Sequence, residues 1–435
     1  MAPILFIFFI SLFIRVINLY TLNLDTNSYI IEDQVLYWNW SMARAFTVHS
    51  EIEATDLLER MPGSFLFFQL IILLLGKNLF GILFFQIVVD SINCVLISLT
   101  AKEIKKSLFL LSGILSACSP LMLIISSQML SDTIFLFFFL IFIYFFIIFL
   151  KKEKIYALVL CALFLGISAY IRTISAPLII CVAVTFLIID VINKKNLNHT
   201  GIRNLVIFII LAFLPISERV FSNFINYKTF GLTTQKGTHL AYWVVPAVLD
   251  FASEEKKIDY YNKLNNIKDE YLIEENPFLQ SNRFSRFAME ILYNSDLKDI
   301  VLAWSKGAVI NNFASPLLLD SRVRNLKHPS FYDNDRNIFL WLKKINSNSD
   351  YKSYKRLIIL LFSTSLFFAI FFFLGLYELC KYNKLFFTLC LMMFFYFLLL
   401  IGPVYSPKYV HPLIGIIIII ECFALERIKR FLFIN

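Results

Sequence analysis

Long apolar runs, separated by short polar joints, fall at roughly residues 4–20, 80–101, 107–125, 132–150, 156–171, 174–192, 204–220, 357–379, 385–402 and 410–426. A run of about 17 to 25 apolar residues crosses roughly 30 Å of hydrocarbon as a helix that satisfies its own backbone. The pattern therefore predicts an all-α polytopic membrane protein with about ten transmembrane helices, not a barrel. The run 64–75 is too short to span comfortably and is expected as an interfacial or re-entrant helix. Counting it as a span breaks the alternation of charge along the chain.

That alternation comes from basic clusters at every second joint: Lys102, Lys105 and Lys106; Lys151, Lys152 and Lys154; Lys194, Lys195 and Arg203; Lys381 and Lys384; Arg427, Lys429 and Arg430. The positive-inside rule assigns these ends to the cytoplasm. Two larger polar regions, 21–62 and 221–356, are left on the other side. They hold all the tryptophans, Trp38, Trp40, Trp243, Trp304 and Trp341, which suits the water boundary or, for the last three, packing in a soluble lobe. The expected division is a membrane domain over 1–220 with a site-bearing first outer loop at 21–79, a mainly helical outer lobe over 221–356, and C-terminal membrane helices over 357–435. Helical spacing recurs in both outer regions. In 33–47, Leu36, Trp40 and Ala43 share one side while Asp33, Tyr37 and Arg44 fall near another; Leu297, Ile300, Val301, Trp304 and Ala308 repeat after Ser295 and Asp296.

Composition narrows the class. With 435 residues, 59% of them hydrophobic, 48 Phe and only 16% charged, no soluble globule could hide this much apolar surface. The net charge of +9 is scattered through short loops and not gathered into a basic stripe with interleaved aromatics, so nucleic acid is not an expected partner. The cysteines (Cys94, Cys118, Cys161, Cys181, Cys380, Cys390, Cys422) lie in or beside apolar runs, and no two of the five histidines have ligand spacing. Neither a disulfide framework nor a zinc site follows. The first run lacks a basic flank and a small-residue cleavage site, so it is expected to be a retained span. No P-loop, GxGxxG or GxSxG occurs.

Charges at the outer membrane boundary are the candidates for chemistry. Asp33, one turn before Tyr37, reads either as a helix cap or as a base that takes a proton from an attacking hydroxyl. Asp132 opens the fourth run after Ser126, Ser127, Gln128 and Ser131, where an acid is costly unless paired or wet. Arg172 and Arg219 end the fifth and seventh runs on the outer side, against the positive-inside trend; snorkelling and binding of an anionic headgroup are the two accounts. Arg60, before Pro62 and Gly63, offers a fork of donors to a phosphate, with Arg15 and Lys408 weaker candidates of the same kind. The triplet Asp333, Asn334, Asp335 has the form of a metal and nucleotide-diphosphate motif, but three polar turn residues arise often by chance.

The order of these features resembles the GT-C superfamily of polytopic glycosyltransferases, in its bacterial aminoarabinose-transferase and protein-mannosyltransferase-like branch. The resemblance is carried by an Arg near the end of the first span, Asp33, Gln34 and Tyr37, then Arg60 to Gly63 (RMPG), Leu130 to Asp132, and Gly166 to Arg172 (GISAYIR). It continues through Pro215 with Arg219, Phe230 with Gly231, Gln235 to Leu240 (QKGTHL), and Tyr405 to Pro412 (YSPKYVHP). It covers roughly 10–240 and returns near 405–415. The resemblance implies Asp33 as the acceptor-activating base and Asp132 as a second catalytic acid. It implies Arg60, Arg172, Arg219 and Lys408 as donor-phosphate contacts, and Tyr37, Gln34 and His411 as contacts to sugar or acceptor. Gln34 stands where the family has Glu, Gly63 where it has a second Pro, and Lys408 and His411 where Arg and other residues are commoner.

The sequence thus predicts an inverting glycosyltransferase. It would move a hexose or pentose from a polyprenyl-phosphate donor to an extracytoplasmic acceptor such as a lipid-linked glycan or a lipid A or core glycan. Its partners would be those two substrates and membrane lipids. No cofactor is required, although a divalent ion between Asp33, Asp132 and donor oxygens is compatible with the two acids. For a bacterial source the site faces the periplasm from the inner membrane; in a eukaryote the same orientation faces the endoplasmic reticulum lumen. Two other classes remain open. A lipid-sugar flippase would place ionisable groups near the midplane, whereas the span interiors read as charge-free. An O-antigen polymerase or ligase would depend on arginines of the large outer loop.

Overall fold

The computed structural model describes residues 2–22, 24–46, 58–194, 199–271, 276–330 and 338–433. The Asp333 to Asp335 triplet, Lys195 and His49 lie outside the described residues, as do the side chains of Ala43 and Arg44. Every described element is helical, and each of the ten apolar runs is a helix or a helix pair. In chain order they are α1 (Ala2–Tyr20), α2 (Asp33–Phe46), α3 (Pro62–Leu75), α4 (Leu79–Ile104), the pair α5 (Phe109–Ala117) and α6 (Pro120–Ser126), α7 (Asp132–Lys152), α8 (Ile155–Ile171), α9 (Ala176–Lys194) and α10 (His199–Tyr227). The outer lobe contributes α11 (Gln235–His239), α12 (Glu254–Tyr271), α13 (Pro277–Tyr293), α14 (Leu297–Phe313) and α15 (Ile338–Ser347). The chain ends with α16 (Lys352–Tyr382), α17 (Lys384–Ile401) and α18 (Ile414–Phe433).

Among the described residues, seven helices are long and apolar enough to cross a membrane, or eight if the α5–α6 pair counts as one span. That pair is bent by 52°, because Pro120 at the first position of α6 cannot continue the helix before it. The predicted fifth and sixth spans are shorter apolar helices, as is α3. The chain is a multi-pass membrane protein.

Ion pairs sort the helix ends into two faces. Lys105 and Ser107 hold Glu426, Lys152 meets Glu103 at 3.4 Å, and Arg427 meets Glu378 at 2.7 Å. Four of the five basic clusters thus gather on one side. Asp33, Arg60, Asp132, Arg172 and Lys408 gather on the other, as the charge alternation requires.

The bundle is centred on α7, whose Phe135, Phe139 and Phe142 are fully buried, with Phe397 of α17 edge-on to Phe139. α4, α8 and the 407–433 segment pack around it. Only 6% of the apolar window of α16 and 17% of that of α10 are buried, so these helices form the rim that faces lipid. Since lipid tails are as apolar as Leu, close packing and hydrogen bonding hold such a bundle together, with little help from water exclusion.

One expectation is corrected here. The span interiors are not charge-free, because Arg15 of α1 and Asp90 of α4 form a 2.7 Å ion pair with both side chains wholly buried. Arg15 also donates to the Ser11 and Ala117 carbonyls and to Cys94 Sγ, while Asn93 donates to Asp90 at 3.2 Å. Every charge is matched by a neighbour, so the pair locks α1, α4 and α5 together and leaves Arg15 no donor for an external phosphate.

In the lobe, Tyr260, Leu264, Phe284 and Ala288 pack around Ala241, Val245 and Leu249. α14 seats the lobe on the membrane helices through the 407–413 segment and α16.

Candidate active site

Three distant parts of the chain meet at Asp33. The carboxylate begins α2 directly after Glu32, whose φ of +53° turns the chain sharply at that point. Gln34 and Tyr37 hold α2 in place: Gln34 Oε1 accepts from Met129 N at 2.9 Å, and Tyr37 Oη donates to Ser131 Oγ at 3.0 Å. Both side chains are buried, and Tyr37 lies against Phe65 and Phe68 of α3. Their polar atoms are thus committed to the segment that leads into α7, a positioning task that keeps them from the open side of the site.

Arg60 arrives from the end of the first outer loop. Thr234 N donates to Leu58 O at 3.0 Å, tying that loop end to the chain just before α11. Met61 is extended and Pro62 takes the first helical position, where its missing N–H costs nothing, so α3 starts two residues after the arginine. Gly63 then packs on α8 so closely that a Cβ there would lie 2.7 Å from Tyr170 O. This close approach holds the Arg60 turn beside Arg172. Arg60 Nη2 lies 3.4 Å from Asp33 Oδ1, and its buried Nε–H has no hydrogen-bond partner.

Lys408 enters from the opposite end of the sequence, and its Nζ is 3.0 Å from Asp33 Oδ2. The strap before it bends at Gly402, whose φ is +68°, and Gly307 of α14 lets the strap come close, since a Cβ there would stand 2.9 Å from Gly402 O. Asn311, buried on α14, grips the strap with both ends of its amide: Nδ2 donates to Val404 O at 3.0 Å and Oδ1 accepts from Ser406 N at 2.7 Å.

Behind this pair sits a second. Arg172, extended at the end of α8, donates to Asp132 at the start of α7 and lies over the Phe135 ring. His411 is buried near Asp132, and neither ring nitrogen has a hydrogen-bond partner. His411 therefore lines the buried back of the site, out of reach from the open side. Arg219 donates Nε–H to Leu232 O at 3.1 Å and so helps hold the turn after α10.

Three cations (Arg60, Lys408, Arg172) surround two carboxylates (Asp33, Asp132), leaving one positive charge in excess at the outer boundary. Burial pushes the Asp33 carboxyl up, but Lys408 and then Arg60 outweigh it and hold the group below the ordinary carboxylate range. His239, at the end of α11, was not singled out from the sequence. Burial, followed by the nearby Arg60 guanidinium, holds its imidazole below the usual histidine value. In this arrangement each of the two acids is paired with a cation. No group of three His, Cys, Asp or Glu suited to a metal occurs among the described residues.

The fold is that of a polytopic all-α membrane protein with a cluster of ion-paired charges at its outer boundary. A family model for dolichyl-phosphate-mannose-protein mannosyltransferase matches residues 59–217. Among solved structures, the archaeal oligosaccharyltransferase AglB from Archaeoglobus fulgidus, in complex with an inhibitory peptide and a dolichol-phosphate, is similar with a TM-score of 0.53 and 11% identity. The similarity covers 99% of this chain and 50% of that one, so the chain spans about half the length of its structural relative. No curated protein matches. The family match covers less than half of the chain, and the likeness to the solved structure is one of fold.

Proposed function

We propose that the chain is an inverting glycosyltransferase that takes one sugar from a polyprenyl-phosphate donor and places it on an extracytoplasmic glycan or glycolipid. The observation that carries this reading is the contact of Asp33 with both Arg60 and Lys408 at the outer boundary, where a lipid-borne phosphate lies.

The phosphate enters between the two cations, and Arg60, with its partnerless Nε–H, presents the fork that suits phosphate oxygens. As the cations turn to the phosphate, Asp33 loses its partners and becomes free to act. The acceptor hydroxyl oxygen attacks the anomeric carbon from the face opposite the phosphate, and the bond between that carbon and the phosphate oxygen breaks. The bonding pair leaves with the polyprenyl phosphate, whose charge Arg60, Lys408 and Arg172 stabilise, and the acceptor proton passes to Asp33. Asp132 holds Arg172 in place for this task.

Mass spectrometry of glycolipids from membranes with and without the chain tests the reading. A species heavier by one sugar residue is expected only where the chain is present. Translocation of an unmodified lipid-sugar, with no new covalent product, would move the protein to the transporter class.

A further inference from the structure

The outer end of α16 carries a second cluster of charge that the glycosyl-transfer site does not use. Lys343 and Lys344 on α15 and Lys352, Lys355 and Arg356 at the start of α16 are all exposed. Between 338 and 356 the sequence has one acid, Asp350, and Lys327 occupies it at 2.6 Å. These cations lie at the end of α16 opposite Lys381, on the face away from the Lys105–Glu426 pair, where the positive-inside rule disfavours them. A charge cluster placed against topology requires a counter-charge.

The geometry around it is that of an in-plane helix. Trp341 donates Nε1–H to Pro329 O at 2.9 Å, Ile345 is buried, and Lys355 bonds Asn346, so one side of α15 is fastened to the lobe and to the first turn of α16. The other side presents Phe339 and Leu342, 79% and 41% exposed, with Lys343 beside them. The apolar stretch of α16 begins directly after Arg356, so a bilayer crossed by α16 would set α15 at headgroup depth. Apolar side chains flanked by lysines at that depth suit acyl chains below and phosphates above.

We infer that α15 and the first turn of α16 form a binding surface for anionic phospholipid headgroups of the leaflet into which α16 inserts. Near a charged membrane each lysine or arginine raises local partitioning by roughly fivefold, so several acting together select anionic over zwitterionic lipid. The inference does not depend on sugar transfer.

The test uses the full chain in nanodiscs of phosphatidylcholine, with either phosphatidylcholine or phosphatidylglycerol carrying brominated acyl chains at equal mole fraction. The Trp341 contribution is taken as the difference from Trp341→Phe. Brominated phosphatidylglycerol is expected to quench Trp341 several-fold more than brominated phosphatidylcholine. The surface variant Lys343→Gln, Lys344→Gln, Lys352→Gln, Arg356→Gln is expected to quench equally with both. Equal quenching of the parent by the two lipids, quenching by neither, or a preference kept in the variant overturns the proposal.

Discussion

Asp33 accepts from two cations that reach it from residues 60 and 408, and this pairing has measurable consequences. Arg60→Ala removes the phosphate fork, so donor KM should rise by tenfold or more while acceptor KM moves far less; equal changes in both would place Arg60 away from the phosphate. Lys408→Met acts on Asp33 itself. The lysine stabilises the carboxylate, so its loss raises the pKa and moves the acidic limb of the kcat/KM profile to higher pH, read in a pH–rate series. An unmoved limb would separate Asp33 from the proton transfer. Arg15 and Asp90 answer to a different measurement. Arg15→Met alone strands a buried carboxylate and should cost about 3 to 5 kcal/mol of stability. Pairing it with Asp90→Leu should restore most of the loss in thermal unfolding of the purified protein.

The elements around the site explain what could be read from the sequence and what could not. Asp33, Arg60, Asp132 and Arg172 were legible because they are charges at the outer ends of apolar runs, where a polar group needs a reason. Lys408 was legible through the aromatic, basic and proline order around it. Asp90 was hidden inside an apolar run, since nothing local reveals that Arg15, 75 residues earlier in the sequence, lies beside it. Asn311 was equally silent: an asparagine in a lobe helix reads as surface until the strap at 404–406 is seen in its grip. Gln34 and Tyr37 were assigned to sugar or acceptor through the family resemblance, and nothing local shows that their polar groups also bond Met129 N and Ser131 Oγ. Asn311→Asp keeps the acceptor for Ser406 N and loses the donor to Val404 O. It should therefore loosen Lys408, raising donor KM while leaving expression near normal, and donor KM equal to the parent's would detach the strap from the site. Gly63→Ala sets a methyl against Tyr170 O, so α3 must shift and turnover should fall at least tenfold in a membrane assay.

At the scale of the whole molecule, charge is divided by face. The side bearing Lys105, Glu426, Arg427 and Glu378 ties helix ends together in partly exposed pairs, each worth little alone. The opposite side concentrates excess positive charge where the start of α2, the Arg60 turn, the start of α7 and the strap before α18 meet, with the lobe bracing that strap. Such an arrangement suits a lipid-borne anion arriving from the bilayer and an acceptor arriving from water. The likeness to AglB, at 11% identity and over half of that chain, is a likeness of fold, and the mannosyltransferase family match is confined to 59–217.

The central claim is that the carboxylate of Asp33 takes the acceptor's proton in a transfer from a lipid phosphate. Its most direct test is Asp33→Asn, which keeps the size and polarity of the side chain and removes the base, in membranes containing the chain at parental level. Insertion should be normal and the sugar-bearing product should form about 10² to 10⁴ more slowly; product forming at close to the parental rate would show that Asp33 is not the base.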